Sequence, residues 1–471
     1  NMLRGAKRHE DLHFENTPSD LVKRAFVEAL LDPDLTQEKL DALSSRNARE
    51  VMKNEDAEEK KKTLEAGKQM NSQLAREDES LDGTIDMMLQ VIDPKGEGND
   101  ATGYKETVKF PNGNSSTFYV VKEDGQYKLL DSDDKPNSIA LEMLDRIKAG
   151  DLKGAKVLLD WLREGIHLEG GDDPLGGATF PRFWTKGQAA DERKMKLAAA
   201  AIMVGTKPSV AQGVAILEEA QKDTLTDREK TNVQLALADG YYLQDNFAKL
   251  LDTSSALLKQ FPESRQAFIY NMEALMGLGR HDQAIALADE RLKLLENDQD
   301  ALMMKMETEA NRSNFAAARG WAQKLIDQGK ENAGLLNNIA WYALFTGKVE
   351  DADIATAIKS TQMAKDNPSI LHTLACLYAE VGRTKEAHDL LLRGMDDMNL
   401  NEPNDAYWYA FGRIAEQYGE REIAIADYRK LEKPKRPLEI PTSTYRLAQM
   451  RLKIMGADQS AEHKDQVSEH K

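Results

Sequence analysis

Cysteine is almost missing from this 471-residue chain, where Cys376 stands alone. No intramolecular disulfide can form, and cysteine usage does not fix the redox compartment. The run Leu374-Ala375-Cys376-Leu377-Tyr378 reads as core, which suits a small buried hydrophobe. No apolar stretch approaches the ~20 residues that span a bilayer. No signal peptide is visible, so the sequence predicts a chain that does not span a membrane; a cytoplasmic or an exported location with the signal removed both stay open. Positive charge is the minority: 63 basic against 80 acidic side chains give a net charge of −17. A nucleic-acid duplex or an anionic membrane surface would repel it, which leaves a basic or apolar protein or peptide as the expected partner. The basic runs Lys60–Lys62 and Lys433–Arg436 have acids close by.

Chemical motifs are equally sparse. There is no glycine-rich phosphate loop, no Gly-x-Ser-x-Gly elbow and no Cys-x-x-Cys pair. His9-Glu10-Asp11-Leu12-His13 fits the zinc-protease pattern His-Glu-x-x-His, which on a helix would set two imidazoles on one face. Charged neighbours surround it, and Asp32 beside Pro33 stands where a third ligand would be needed, so it reads as an exposed charged segment. The acidic turns Asp131-Ser132-Asp133-Asp134 and Glu169–Asp173 lack calcium-loop spacing. No metal, no cofactor and no catalytic residue is expected.

Three textures divide the chain. Residues 1–136 read as a small α+β domain. Thr17-Pro18-Ser19-Asp20 is a helix start, followed by an apolar stripe at Leu21, Val22, Ala25, Phe26, Ala29 and Leu30. The spacing predicts a second helix over Thr36–Lys53, and Glu55–Glu79 is a charged helix or connector. Thr84–Ile92 suits a strand. Tyr104–Phe110 alternates, with Tyr104, Glu106, Val108 and Phe110 on one side. Turns at Asn112-Gly113 and Asp124-Gly125 then complete an antiparallel meander of about four strands. Helices followed by such a meander resemble the cone-shaped nuclear-transport-factor-like superfamily, which implies a pocket but no particular reaction.

Residues 137–227 read as degenerate helix pairs, with a structured loop at 166–187 that carries Phe180, Phe183 and Trp184. From 228 to 431 the chain repeats about every 34 residues, in six units that start at Thr231, Arg265, Gln299, Ala333, Pro368 and Asp405. Small or adaptable residues recur at the eighth position (Ala238, Met272, Met306, Ala340, Ala375, Gly412) and at the twentieth (Leu250, Ala284, Ala318, Ala352, Ala387, Ala424). They fit two antiparallel helices that cross closely. Gly279, Gly347, Gly382 and Gly419 mark left-handed turns. Residues 432–471 read as a proline-bearing break, a capping helix at Ser443–Met455 and a polar tail.

This pattern is similar to the tetratricopeptide repeat family, most visibly over Leu335–Leu391, where Asn338-Ile339-Ala340-Trp341-Tyr342, Leu374-Ala375, Tyr378, Gly382, Arg383, Ala387 and Leu391 match in order and spacing. The resemblance implies a mainly α fold, an α-solenoid of antiparallel helix pairs whose concave face binds another protein. It places the groove at the second, fifth, sixth, ninth and twelfth positions of each first helix. In this chain those positions include Asn232, Asp239, Tyr242, Tyr270, Glu273, Met304, Glu307, Asn337, Asn338, Trp341, His372, Tyr409 and Arg413. Leu235, Ile269 and Met303 also fall in this register and suit packing between units. The family's clamp for a chaperone's C-terminal carboxylate needs Lys and Asn where Leu235 and Asp239 stand, so a chaperone-tail adaptor is not expected.

The sequence therefore predicts a non-catalytic interaction scaffold that binds a peptide or protein segment in its groove. One alternative is an enzyme or small-ligand site in the N-terminal domain, with acid/base groups among Asp86, Tyr104, Glu106 and Tyr119. Another is a structural subunit of a larger assembly. The sequence does not fix the oligomeric state.

Overall fold

A computed structural model of the chain describes residues 12–31, 36–55, 89, 92–110, 113–132, 136–165, 173–398, 400 and 402–457. It falls into two compact units, Asn1–Gln266 and Ala267–Lys471. The described residues contain 20 α-helices and one four-stranded sheet. The His9-Glu10 pair, Asp86 and most of Thr84–Ile92 lie outside them, as do the Glu55–Glu79 stretch beyond Glu55 and the tail after Ala457.

In the first unit α1 (Pro18–Leu31) starts as its sequence requires, with the Thr17 hydroxyl accepting from the Asp20 amide at 3.1 Å. Leu21 and Val22 from its apolar stripe pack on the sheet against Val108 and Val120, and Phe26 meets Phe110 and Phe118 edge-on. The single helix predicted over Thr36–Lys53 is instead two, α2 (Gln37–Leu43) and α3 (Arg46–Lys53). The break at Ser44-Ser45 has a physical cause. The Ser45 amide donates to the Leu129 carbonyl oxygen at 2.7 Å, while the Ser45 hydroxyl caps α3. These bonds replace the helical ones they interrupt.

The sheet is an antiparallel meander in chain order: β1 (Lys95–Asn99), β2 (Gly103–Lys109), β3 (Ser115–Glu123) and β4 (Gln126–Ser132). Asp124 and Gly125 both have positive φ, 49° and 79°, the geometry of a tight two-residue hairpin turn. The first described strand, β1, has the sequence Lys-Gly-Glu-Gly-Asn and is exposed throughout, so it carries no apolar alternation to betray it. On the other face of the sheet Tyr119 packs against Trp161 of α5 (Leu152–Gly165).

Helix pairs follow: α4 (Asn137–Lys148) with α5, α6 (Glu192–Met203) with α7 (Val210–Ala220), and α8 (Asp227–Leu243) with α9 (Phe247–Gln260). Between α5 and α6, Phe180, Phe183 and Trp184 are buried, and the Trp184 indole donates to Asp160 at 2.8 Å. A loop built around three buried rings is packed structure, not a linker.

The second unit holds α10 (Arg265–Gly277) with α11 (His281–Leu294), α12 (Gln299–Asn311) with α13 (Phe315–Asp327), α14 (Ala333–Ala343) with α15 (Asp351–Met363), α16 (Pro368–Glu380) with α17 (Thr384–Asp397), and α18 (Asp405–Gln417) with α19 (Arg421–Arg429). The last helix is α20 (Thr444–Ile454). Each second helix from α11 to α17 packs on the first helix of the next pair, which joins the pairs into one array. The fifteenth residue of all six repeats is left-handed. It is glycine in four, and Asp245 (φ 53°) and Ser313 (φ 69°) in the other two. The eighth-position side chains are buried, and a Cβ added to Gly412 would stand 2.6 Å from Cε1 of Tyr428.

The twentieth position fails once. Ala352 is exposed, as is Ala355, and α15 buries Asp353, Ile354, Ala357 and Ser360 instead. A 3₁₀ turn at Leu344–Thr346 and the residues up to Glu350 lengthen this connection, so α15 starts two residues later in its repeat than the other second helices. Glu350 and Asp353 form a reciprocal cap, and Asp353 also pairs with Arg319 of the preceding repeat.

Candidate functional site

The register taken from the repeats selects one side of each first helix. In the first unit that side is covered by the chain itself. The amide of Asn232 donates to the Arg182 carbonyl oxygen at 3.2 Å, and the Thr179 hydroxyl donates to Asp239 at 2.5 Å. Both partners belong to the loop between α5 and α6. Tyr242 is half-buried.

In the second unit the same side divides in two. Toward the N-terminal end stand Tyr270 and Glu273 on α10, Met304 and Glu307 on α12, and Asn337 and Asn338 on α14. Tyr270 and Met304 are buried and the others half-buried. Burial, and then the neighbouring Glu273 carboxylate, push Glu307 up from 4.5 to about 7. Burial and Glu307 in turn raise the Tyr342 phenol well above its ordinary value. The Asn337 side-chain oxygen is buried with no hydrogen-bond partner in the protein. This stretch presents acceptors and negative charge.

The C-terminal end of the strip is interior. His372, Tyr409 and Arg413 are only 8%, 2% and 5% exposed. The Trp341 ring sits 5.7 Å from His372, which lies 5.1 Å from Tyr407. His372 Nε2 faces the Ala406 carbonyl oxygen at 3.0 Å, and burial lowers its pKa to about 4, so the ring is neutral at pH 7. Cys376 Sγ is 3.4 Å from the same nitrogen, but burial pushes the thiol up, which leaves it protonated and inert. Arg413 pairs with Glu380 at 2.7 Å and Glu416 at 2.6 Å, and the Tyr409 hydroxyl donates to Glu380. Glu416 also takes the Tyr428 hydroxyl at 2.9 Å and pairs with Arg451 of α20. This buried network holds helices together.

Sequence reasoning passed over Glu380 and Glu416, the hubs of that network. Glu416 occupies the twelfth position of its repeat, so the register itself could have found it. Nothing in the register could have found Thr442 or Leu438, whose carbonyl oxygens accept from Trp341 (2.8 Å) and Asn311 (3.0 Å).

The first unit also contains a cavity of about 520 Å³, lined in part by Val51, Met52, Leu129, Asp131, Ser138 and Lys207. Asp131 accepts from the amides of Ser132 (2.9 Å) and Ser138 (2.8 Å), and burial outweighs these bonds to raise it to about 7. Of the acid/base residues considered from sequence, the three described ones lie elsewhere. Glu106 accepts from Ser19, the Tyr104 hydroxyl donates to Asp100, and Tyr119 is buried against Trp161. Among the described residues no group of His, Cys, Asp and Glu could hold a metal ion. No described helix is long and apolar enough to cross a membrane.

No protein-family model matches the chain, and no curated protein matches it. Among solved structures it is similar to a tetratricopeptide repeat protein from Parabacteroides merdae, at 14% identity and a TM-score of 0.39, over 62% of this chain and 99% of that one. It is also similar to YrrB, described as a TPR protein with an unusual peptide-binding site, at 14% identity and a TM-score of 0.30, over 42% of this chain and 97% of that one. The period, the antiparallel pairing and the left-handed fifteenth residue of every repeat are properties of this chain itself. They make α10 to α19 an array of antiparallel helix pairs, and α8 with α9 forms a pair of the same period in the first unit.

Proposed function

We propose that the protein is a non-catalytic interaction scaffold that binds a peptide or protein segment along the strip formed by Tyr270, Glu273, Met304, Glu307, Asn337 and Asn338. The observation that carries this reading is Glu307, a desolvated carboxyl set beside a second carboxylate. Ionising a carboxyl so desolvated is costly, and a cation or N–H donor brought to Glu307 by a partner would offset that cost. The unpartnered oxygen of Asn337 supports the same reading. The expected partner presents donors and positive charge, which the half-buried Glu273, Glu307, Asn337 and Asn338 would meet, while the buried Tyr270 and Met304 form the floor beneath them. A packed helical array is already ordered, so binding costs little conformational entropy on the receptor side. The test is affinity capture with the tagged full chain beside Glu307→Lys. Loss of captured proteins from the variant supports the reading, and an identical set from both chains removes it.

A second reading is favoured by the cavity at Asp131, whose largely apolar wall and buried carboxyl suit a small ligand bound by the first unit. Binding of a small apolar dye that is lost in Met52→Trp would support it.

A further inference from the structure

After α19 the chain does not simply cap the last pair. Residues 432–443 carry Pro434, Pro437 and Pro441 and turn through a short 3₁₀ helix, Pro437–Thr442. That turn reaches back to α12, where Asn311 donates to the Leu438 carbonyl oxygen. The next anchor is on α14, where the Trp341 indole donates to Thr442. The Ser443 hydroxyl then caps α20. Near the start of that helix, Arg446 donates to the Ser313 hydroxyl at 2.6 Å and lies 5.4 and 5.8 Å from the rings of Phe315 and Phe345. Near its end, Arg451 pairs with Glu416, and Arg421 donates to the Met455 carbonyl oxygen at 2.7 Å. Leu447, Ala448 and Leu452 are fully buried between these anchors.

Two of the anchors fall in the register: Trp341 and Glu416 occupy the ninth and twelfth positions of their repeats, while Asn311 and Phe345 stand at the thirteenth of theirs. A helix that only ended the array would touch the last pair alone. This segment reaches from the repeat that starts at Gln299 to the repeat that starts at Asp405, over first helices, a turn and second helices alike. Its charge is opposite to that of the chain. Residues 432–457 hold six basic and two acidic side chains, in a protein of net charge −17.

We propose that this face is a receptor for a basic amphipathic helix preceded by a proline turn, that residues 432–457 are its resident occupant, and that a partner segment of the same chemistry binds by displacing them. The proposal goes beyond the strip at Glu307: its site is the neighbouring stretch around Trp341 and Glu416, and it names the partner class for that stretch. Prolines preset φ and lower the ordering cost of the turn, an advantage a partner segment would share. Because the resident segment competes, the apparent affinity for a partner is reduced by the fraction of molecules in which it is seated.

The test uses the full chain and a fluorescein-labelled peptide of residues 432–457. Arg446→Ala/Arg451→Ala weakens the resident segment and leaves the receptor side chains unchanged. By fluorescence polarisation the double variant takes up the peptide at least tenfold more tightly than the wild type, and a peptide carrying Leu447→Asp and Leu452→Asp does not bind. Equal affinity for both chains, or undiminished binding of the altered peptide, overturns the proposal. If the double variant does not fold, hydrogen exchange of the wild type decides. Amides of α20 that exchange through their own opening, ahead of α16, uphold it; amides as protected as those of α16 overturn it. Failure of the peptide together with Glu307-dependent capture of another protein removes this proposal and leaves the groove reading standing.

Discussion

The indole nitrogen of Trp341 donates to the backbone oxygen of Thr442 at 2.8 Å, across 101 residues of chain. This bond ties the centre of the repeat array to the segment that returns over it. Trp341→Phe keeps the ring and removes the donor. The Thr442 oxygen then loses its partner, at a cost of about 1 kcal/mol. The expected result is a slightly lower urea midpoint and faster hydrogen exchange in α20, with exchange in α10 to α13 unchanged.

Glu307 predicts a pH effect of definite sign. Its pKa is raised on folding from 4.5 to about 7. A raised acid contributes its stability in full below the unfolded value and loses it as pH rises through the folded value. The wild type therefore loses stability relative to Glu307→Gln between about pH 4.5 and about pH 7. Paired thermal melts at pH 5 and pH 8 check this: the difference between the two proteins grows with pH and favours the variant.

Gly412 lies where α18 crosses α19. A methyl group there would meet the Tyr428 ring at 2.6 and 2.8 Å. Tyr428 is fully buried and tied to Glu416, so it cannot move aside freely. Gly412→Ala is expected to cost about 1–3 kcal/mol by urea denaturation.

Gly382 tests the turn rather than the packing. Its φ is 79°, and the nearest atom to an added Cβ would be Gln417 Oε1 at 3.7 Å, an ordinary contact. The cost of Gly382→Ala is then conformational, about 1–2 kcal/mol, read as a lower thermal midpoint.

The repeat period was legible because close helix crossings demand small residues at fixed intervals and turns demand a left-handed residue. Even so, Asp245 and Ser313 occupy that conformation without being glycine, so the turn repeats more faithfully than its residue does. Local signals misled where tertiary partners intervened. The Thr36–Lys53 pattern is helical throughout, yet the Leu129 oxygen draws the Ser45 amide out of it. Ala352 fits its repeat by count, yet the longer turn before Glu350 rotates it to solvent. In the candidate site the register located the strip but not its coverings. Contacts such as Thr179 with Asp239 and Arg446 with Ser313 join residues 60 and 133 positions apart, and no short-range pattern encodes them.

The pairing of Ser44 and Ser45 with Leu129 has a consequence for behaviour at high concentration. β4 is one margin of the sheet, and this short parallel bridge claims part of its free backbone. Among the described strands the opposite margin is β1, five exposed residues with two glycines, a lysine and a glutamate. One margin is partly occupied and the other is charged and poor in side chains that favour strands. The sheet is thereby guarded against recruiting a strand from a neighbouring molecule, the route by which open sheets polymerise.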